Sequence, residues 1–346
     1  MKKITAILSL ILAVCLLAGC AGTTVVYYSD CTCPAGSQIQ TPVVAEGSVK
    51  TGMAVITTAK NTEAEDGSVI EYDVTVAAVL VDDNGTIVDC VIDSIGTSLA
   101  FDADGVITTD LAAAIQTKTE LGDAYGMKAY AGAKYEWYEQ AQALADYAVG
   151  KTVEELRTGA CNESGKAADA DLASTATIYL GGYVAAIEAA AANAQHLGAQ
   201  AGDELKIATL CSLAESKSAE GENAGNAQLN VDVTAITMNG DVITSCAIDS
   251  VQAKVAFGTG AAIEIPASFA TKNELGEAYG MKAHGRATYE WNEQAANFAA
   301  YVTGKTAAEV AGIAIDETTK PTDADLSASV TISIGGFLAL IAKAAQ

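Results

Sequence analysis

The chain has 346 residues, half of them apolar, and sets 19 basic side chains against 43 acidic ones, a formal charge of -24 at neutral pH. Such a surface repels phosphates and excludes nucleic acid as a partner. It equally disfavours adsorption on anionic lipid or wall polymer, and reads as a charge that keeps the chain soluble. The length fits roughly two domains of about 150 residues each.

The first predicted element is an export signal. Lys2 and Lys3 precede a sixteen-residue, largely apolar stretch from Ile4 to Gly19, which ends on Leu17-Ala18-Gly19-Cys20. A spanning helix needs about 20 apolar residues, so residues 1–19 read as a cleaved signal. Small residues at 18 and 19 directly before a cysteine are what a lipoprotein signal peptidase accepts once the thiol carries diacylglycerol. Cys20 is therefore the expected lipid attachment site, and the mature chain is expected at the outer face of the cytoplasmic membrane. Cleavage removes Lys2, Lys3 and no acid, taking the charge from -24 to -26. Residues 20–48 follow, with Gly, Ser, Thr and Pro and no periodic pattern. As a flexible tether they would average roughly 30 Å in span.

Two runs, around residues 69–81 and 86–92, flank Asp83-Asn84-Gly85, and two more, around 229–238 and 242–248, flank Asn239-Gly240. Asn-Gly between β-rich runs predicts a hairpin in each place. Cys90 and Cys246 sit at matching places in these patterns and are expected as buried free thiols. Of the eight cysteines, Cys15 leaves with the signal, Cys31 and Cys33 lie in the tether, and Cys161 and Cys211 have no counterpart. Their spacing is neither a disulfide framework nor a zinc signature. Asp102-Ala103-Asp104-Gly105 has the start of a calcium loop, but position twelve is Ala113, so the stretch reads as a turn.

The next segment is duplicated. Residues 117–141, TKTELGDAYGMKAYAGAKYEWYEQA, match residues 271–295, TKNELGEAYGMKAHGRATYEWNEQA, at 18 of 25 positions with an offset of 154. The same offset carries Gly150-Lys151-Thr152 onto Gly304-Lys305-Thr306 and Asp169-Ala170-Asp171-Leu172 onto Asp323-Ala324-Asp325-Leu326. A tandem duplication follows, with copies at residues 49–195 and 196–346. Within each copy, Trp137, Ala141, Leu144, Ala145 and Ala148, and Trp291, Ala295, Phe298, Ala299 and Val302, recur at helical spacing. Thr152-x-x-Glu155 and Thr306-x-x-Glu309 have the capping-box form of a helix start. A strand is expected at residues 177–180, and again from Thr331, before Gly181-Gly182 and Gly335-Gly336 open alanine-rich helices. Hairpins followed by helices predict an α+β class: two tandem homologous domains, each a mostly antiparallel sheet packed with helices.

Candidate chemistry is confined to two stretches. His196 and His284 are the only histidines, and Tyr130 stands where the first copy would match His284, so the copies share no histidine-based triad or metal cluster. The turn at Tyr125-Gly126-Met127-Lys128 sets a ring, a thioether and an ammonium beside the Trp137 helix. Residue types alone leave two readings, a helix-hairpin core or walls for a flat, electron-poor ring. Tyr279, Met281 and Trp291 repeat the set. Lys128, Glu136 and Glu139 recur as Lys282, Glu290 and Glu293, exposed residue types that core packing does not require.

The second stretch, Asp171-Leu172-Ala173-Ser174-Thr175-Ala176-Thr177, resembles the acceptor motif of secreted flavin transferases: Asp, Gly or Ala, any residue, Ser or Thr, a small residue, Ala, then Ser or Thr. It departs at Leu172. The second copy, Asp325-Leu326-Ser327-Ala328-Ser329-Val330-Thr331, also departs at Ala328 and Val330, while the Asp and the final Thr stand in both. With the lipoprotein signal, the tandem copies and the TKxELGxxYGMK block, the chain resembles the PplA-like flavinylated lipoproteins of Gram-positive bacteria over both repeats. The resemblance implies FMN held by phosphoester bonds on Thr177 and Thr331, installed by an FAD-dependent flavin transferase that reads Asp171 and Asp325 and releases AMP. It further implies an electron carrier rather than a turnover enzyme, moving electrons from a membrane quinol-oxidising donor to an extracellular acceptor. Tyr125, Met127, Trp137, Tyr279, Met281 and Trp291 are candidate flavin contacts. The rival expectation is a flavin-free surface lipoprotein whose duplicated domains bind a partner, and noncovalent flavin in the same place is a third.

Overall fold

The computed structural model describes residues 47–258, 263–285 and 287–346. Cys20, Cys31 and Cys33, and the signal and tether up to residue 46, lie outside the described residues. Gly47–Gln346 forms one compact unit.

Each copy begins with a three-stranded antiparallel meander. In the first, β1 (Lys50–Ala64), β2 (Gly67–Val81) and β3 (Ile87–Asp102) pair in the order β1-β2-β3; in the second, β4 (Glu204–Ser212), β5 (Gly225–Asn239) and β6 (Val242–Phe257) pair as β4-β5-β6. Both expected hairpins are present. Asp82 closes the first by accepting the Asn84 and Thr86 N–H groups at 2.8 Å each, and Gly85 and Gly240 supply φ of 83° and 62°. Strands β1 and β4 complete the sheets and were not foreseen, because neither has the clean alternation of the hairpin runs.

The central strands are apolar on both faces. Ile70, Tyr72, Val74, Val76, Ala78 and Leu80 of β2 face one way, and Ala77, Val79 and Val81 the other. The first set meets Leu229, Val231, Val233 and Ala235 of β5 in a core common to the two sheets. Phe101 stacks on Phe257 with ring centroids 3.9 Å apart, and the Tyr72 hydroxyl donates to the Ala227 carbonyl at 2.9 Å across the same interface. The sheets pack face to face, so a core belonging to both copies lies between them, and each copy adds a core of its own between its sheet and its helices.

Helices cover the outer faces. The first copy adds α1 (Lys118–Leu121), α2 (Met127–Ala131), α3 (Trp137–Ala148), α4 (Val153–Gly159), α5 (Ala170–Thr175) and α6 (Gly181–Ala192). The second adds α7 (Lys272–Leu275), α8 (Met281–Gly285), α9 (Trp291–Val302), α10 (Ala307–Ala311), α11 (Ala324–Ser327) and α12 (Gly335–Ala344). The helical-spacing residues of α3 and α9 are all buried, and Thr152 and Thr306 make complete capping boxes. Cys90 and Cys246 are buried free thiols beneath these helices. The architecture is mixed helix and sheet, compatible with the α+β class. No helix among the described residues is long and apolar enough to cross a membrane.

The expected strand at residues 177–180 is a loop between α5 and α6, and its counterpart from Thr331 is a loop between α11 and α12. The reason is local. The sheets are complete without these segments; the first two N–H groups of each bond to a glutamine side chain, and those of Leu180 and Ile334 to the Gly165 and Thr319 carbonyls, rather than to a ladder.

Candidate functional site

Gln140, fully buried in α3, aims its amide at the loop after α5. Its Oε1 accepts the Thr177 N–H at 2.7 Å, the Thr177 hydroxyl at 3.1 Å and the Ile178 N–H at 3.1 Å. Its Nε2 donates to the Tyr135 carbonyl at 3.0 Å and lies 3.7 Å from the Met127 sulfur. One side chain thus fastens three segments. Gln294 repeats the set, accepting from Thr331 N–H, Thr331 hydroxyl and Ile332 N–H at 2.8, 3.2 and 3.2 Å and donating to the Tyr289 carbonyl at 3.0 Å.

The neighbouring Tyr-Gly-Met-Lys turn is held from below. Gly126 takes φ 84°, which admits the reversal into α2. Glu136, only 1% exposed, accepts the Met127 and Lys128 N–H groups at 2.8 and 2.9 Å, while Glu139 accepts the Glu136 N–H at 2.7 Å and pairs with the Lys128 ammonium at 2.6 Å. Glu290, Glu293 and Lys282 build the same arrangement around Met281. Glu136 and Glu290 are thus not exposed, as their type had implied. Folding the turn accounts for their presence in both copies.

The aromatic residues divide by exposure. Trp137 and Trp291 are 2% and 6% exposed, so their rings are covered by their own fold. Trp137 donates its indole N–H to the Tyr183 hydroxyl at 2.9 Å, and the Lys118 ammonium lies 5.4 Å from the rings of both Trp137 and Tyr125. Lys272 lies 5.3 Å from Tyr279 and 4.7 Å from Trp291. Burial pulls both lysines below the usual ammonium range, against the neighbouring carboxylates. Tyr125 is exposed, and Tyr279, Met127 and Met281 are half-buried.

Thr177 and Thr331 are exposed, as are Asp171 and Asp325 in the first turns of α5 and α11. Asp169 caps α5 by accepting the Asp171 and Leu172 N–H groups, and Asp323 caps α11 by accepting those of Asp325 and Leu326, so they hold the motif in shape. Ser174 lies inside α5 with its hydroxyl bonded to the Asp171 carbonyl at 2.7 Å. The Lys166 ammonium donates to the Thr177 carbonyl at 2.6 Å. Helices α6 and α12 open on their glycine pairs with no side-chain cap, and the space beside Gly182 is clear. Two pockets lie elsewhere: about 450 Å³ beside Tyr301, Lys305 and Asp323, and about 490 Å³ between α3 and β4, neither lined by an acceptor threonine.

The structure brings Thr177 together with Met127 through Gln140, and Tyr125 with Trp137 through Lys118. Gln140, Lys118 and Lys166 were missed as site residues, although each has a matching residue at the repeat offset. The Lys166 ammonium and the uncapped N–H groups of α6 form a donor set suited to a phosphate esterified on the exposed hydroxyl. Gln140 cannot act as a base toward the hydroxyl it accepts, because an amide oxygen does not take the proton at neutral pH. No protein-family model matches the chain, and no similar chain was found among curated proteins or solved structures.

Proposed function

We propose that the chain is a lipid-anchored flavoprotein acting outside the cytoplasmic membrane. It carries FMN in phosphoester linkage on Thr177 and Thr331 and passes electrons from a membrane quinol-oxidising donor to an extracellular acceptor. The observation that carries the proposal is the repetition of one exposed threonine on one glutamine-clamped loop, at the mouth of a glycine-opened helix, in both copies. The resemblance in motif supplies the identity of the group, and FMN supplies the electron-carrying chemistry. The chain's own residues present the hydroxyl, fix the loop and offer positive ends to a phosphate. Attachment outside the cell prevents a diffusible cofactor from being lost.

A specific observation favours the flavin-free alternative. Glu136, Glu139, Gln140 and Trp137 all have structural duties, so folding alone explains much of the sequence shared between the copies. Peptide mass spectrometry of protein from its native envelope separates the two. Expected are an FMN-sized addition on the Thr177 and Thr331 peptides, fuller on Thr177, and an N-terminal Cys20 bearing lipid. An unmodified Thr177 from a host with an active flavin transferase rejects the flavin reading, and an addition confined to Ser174 or Thr175 rejects the site.

A further inference from the structure

Among the differences between the two acceptor loops, one pair of positions is coupled by contact. In the first copy Tyr179, two residues beyond Thr177, is 62% exposed. Its ring lies against Gly165, whose φ is 71°, so closely that a Cβ added there would come within 2.5 Å of two ring carbons. The ring edge also reaches the start of α6, where a Cβ on Gly181 would lie 3.8 Å away. The Lys166 ammonium, already bonded to the Thr177 carbonyl, is 5.9 Å from the ring centroid.

The second copy has Ser333 and Thr319 at these places. Thr319 keeps the left-handed backbone at φ 60°, a conformation a β-branched residue adopts under strain, and its hydroxyl bonds to that of Ser333. The backbone therefore does not by itself demand glycine at this point of the loop. Gly165 is required by the ring that lies on it. The fold keeps either a ring on a glycine or a hydroxyl on a hydroxyl.

We propose that Tyr179, seated on Gly165, is a stacking platform for the flat ring of a flavin, and that the second copy lacks it, so the two sites are not equivalent. The identity of the ring rests on the flavin reading; the platform rests on geometry. An electron-rich phenol, braced by the Gly165 backbone and 62% exposed, stands two residues beyond the acceptor threonine. Little side-chain freedom remains to be lost when a ring settles on it.

The test uses full-length protein from a host without flavin transferase, titrated with free riboflavin and followed by quenching of riboflavin fluorescence. One saturable site is expected. Stacking of flat heterocycles on aromatic side chains predicts that Tyr179→Ser weakens it at least about fivefold. Thr319→Gly with Ser333→Tyr is expected to add a second site. Thermal unfolding checks that the exposed substitution leaves the fold intact. No quenching by the wild-type protein, two equal sites in it, or a Tyr179→Ser titration indistinguishable from wild type would each overturn the platform. Mass spectrometry of protein from a transferase-bearing host keeps the two ideas apart. A missing FMN on Thr177 beside the expected titration rejects covalent attachment alone, and the reverse pattern rejects the platform alone.

Discussion

Replacing Gln140 by Leu keeps the volume of the side chain near constant and removes every polar contact that ties Thr177 to α3. Three acceptor bonds and one donor bond disappear. Neutral hydrogen bonds contribute about 1 kcal/mol each, and the exposed Thr177 hydroxyl recovers its own from water, so the loss is about 3 kcal/mol. Unfolding entropy of about 2.1 cal/mol/K per residue gives roughly 0.6 kcal/mol/K for a compact unit of this size. The melting temperature should therefore fall by about 5 °C. Native-state hydrogen exchange reads the same event locally: the Thr177 and Ile178 amides, protected in the wild type, should exchange much faster in Gln140→Leu. Gln294→Leu should act alike on Thr331 and Ile332, and the two losses should add, since the sites share no partner. Unchanged protection at Thr177 and Ile178 would refute the clamp, whatever happened to the melting temperature.

Asp249, 8% exposed, has its carboxyl pushed up to about 6 by burial, against the Thr271, Asn273 and Ser250 groups that favour the charged form. The folded state thus holds its proton more tightly than the unfolded chain, so the group's stabilising contribution is present below about pH 4 and lost as pH rises through 6. Asp249→Asn should abolish that loss, worth up to roughly 3 kcal/mol, and chemical unfolding at pH 4 and pH 7 should show a smaller difference in the variant than in the wild type. Gly52 of β1 lies against α6, and a Cβ there would strike the Ala190 carbonyl oxygen. Gly52→Ala should cost about 1–3 kcal/mol by overpacking, and a denaturation midpoint equal to wild type would show that α6 does not rest on β1.

What was legible in the sequence followed from local chemistry. Asn-Gly turns, Thr-x-x-Glu caps and the apolar spacing of α3 and α9 each name their own structure within a few residues, and each is present. Residues 177–180 misled because Thr-Ile-Tyr-Leu has strand-forming side chains, while the distant Gln140 takes the Thr177 and Ile178 N–H groups and the Gly165 carbonyl takes that of Leu180. Strand β1 was opaque because its inner face carries Thr51 and Thr57 among Met53 and Val55. The shared core was equally hidden. An apolar face of β2 reads the same whether it meets a helix or a second sheet. At the candidate site the acceptor threonines and the Tyr-Gly-Met-Lys turn stood out by repetition, while the burial of Trp137 and the pairing of Tyr179 with Gly165 depend on contacts far apart in the chain.

The core between the sheets bears on how such a chain arises. A single copy standing alone would present the inner face of its meander, with Tyr72, Val74, Val76 and Leu80, to water, and soluble monomers seldom tolerate an apolar surface of that kind. A one-copy ancestor would pair with itself through this face, as identical subunits do about a two-fold axis. Fusing the halves makes the pairing intramolecular and independent of concentration. It also releases them from identity: a symmetric dimer must carry the same residue twice, whereas a fused one can place tyrosine at 179 and serine at 333.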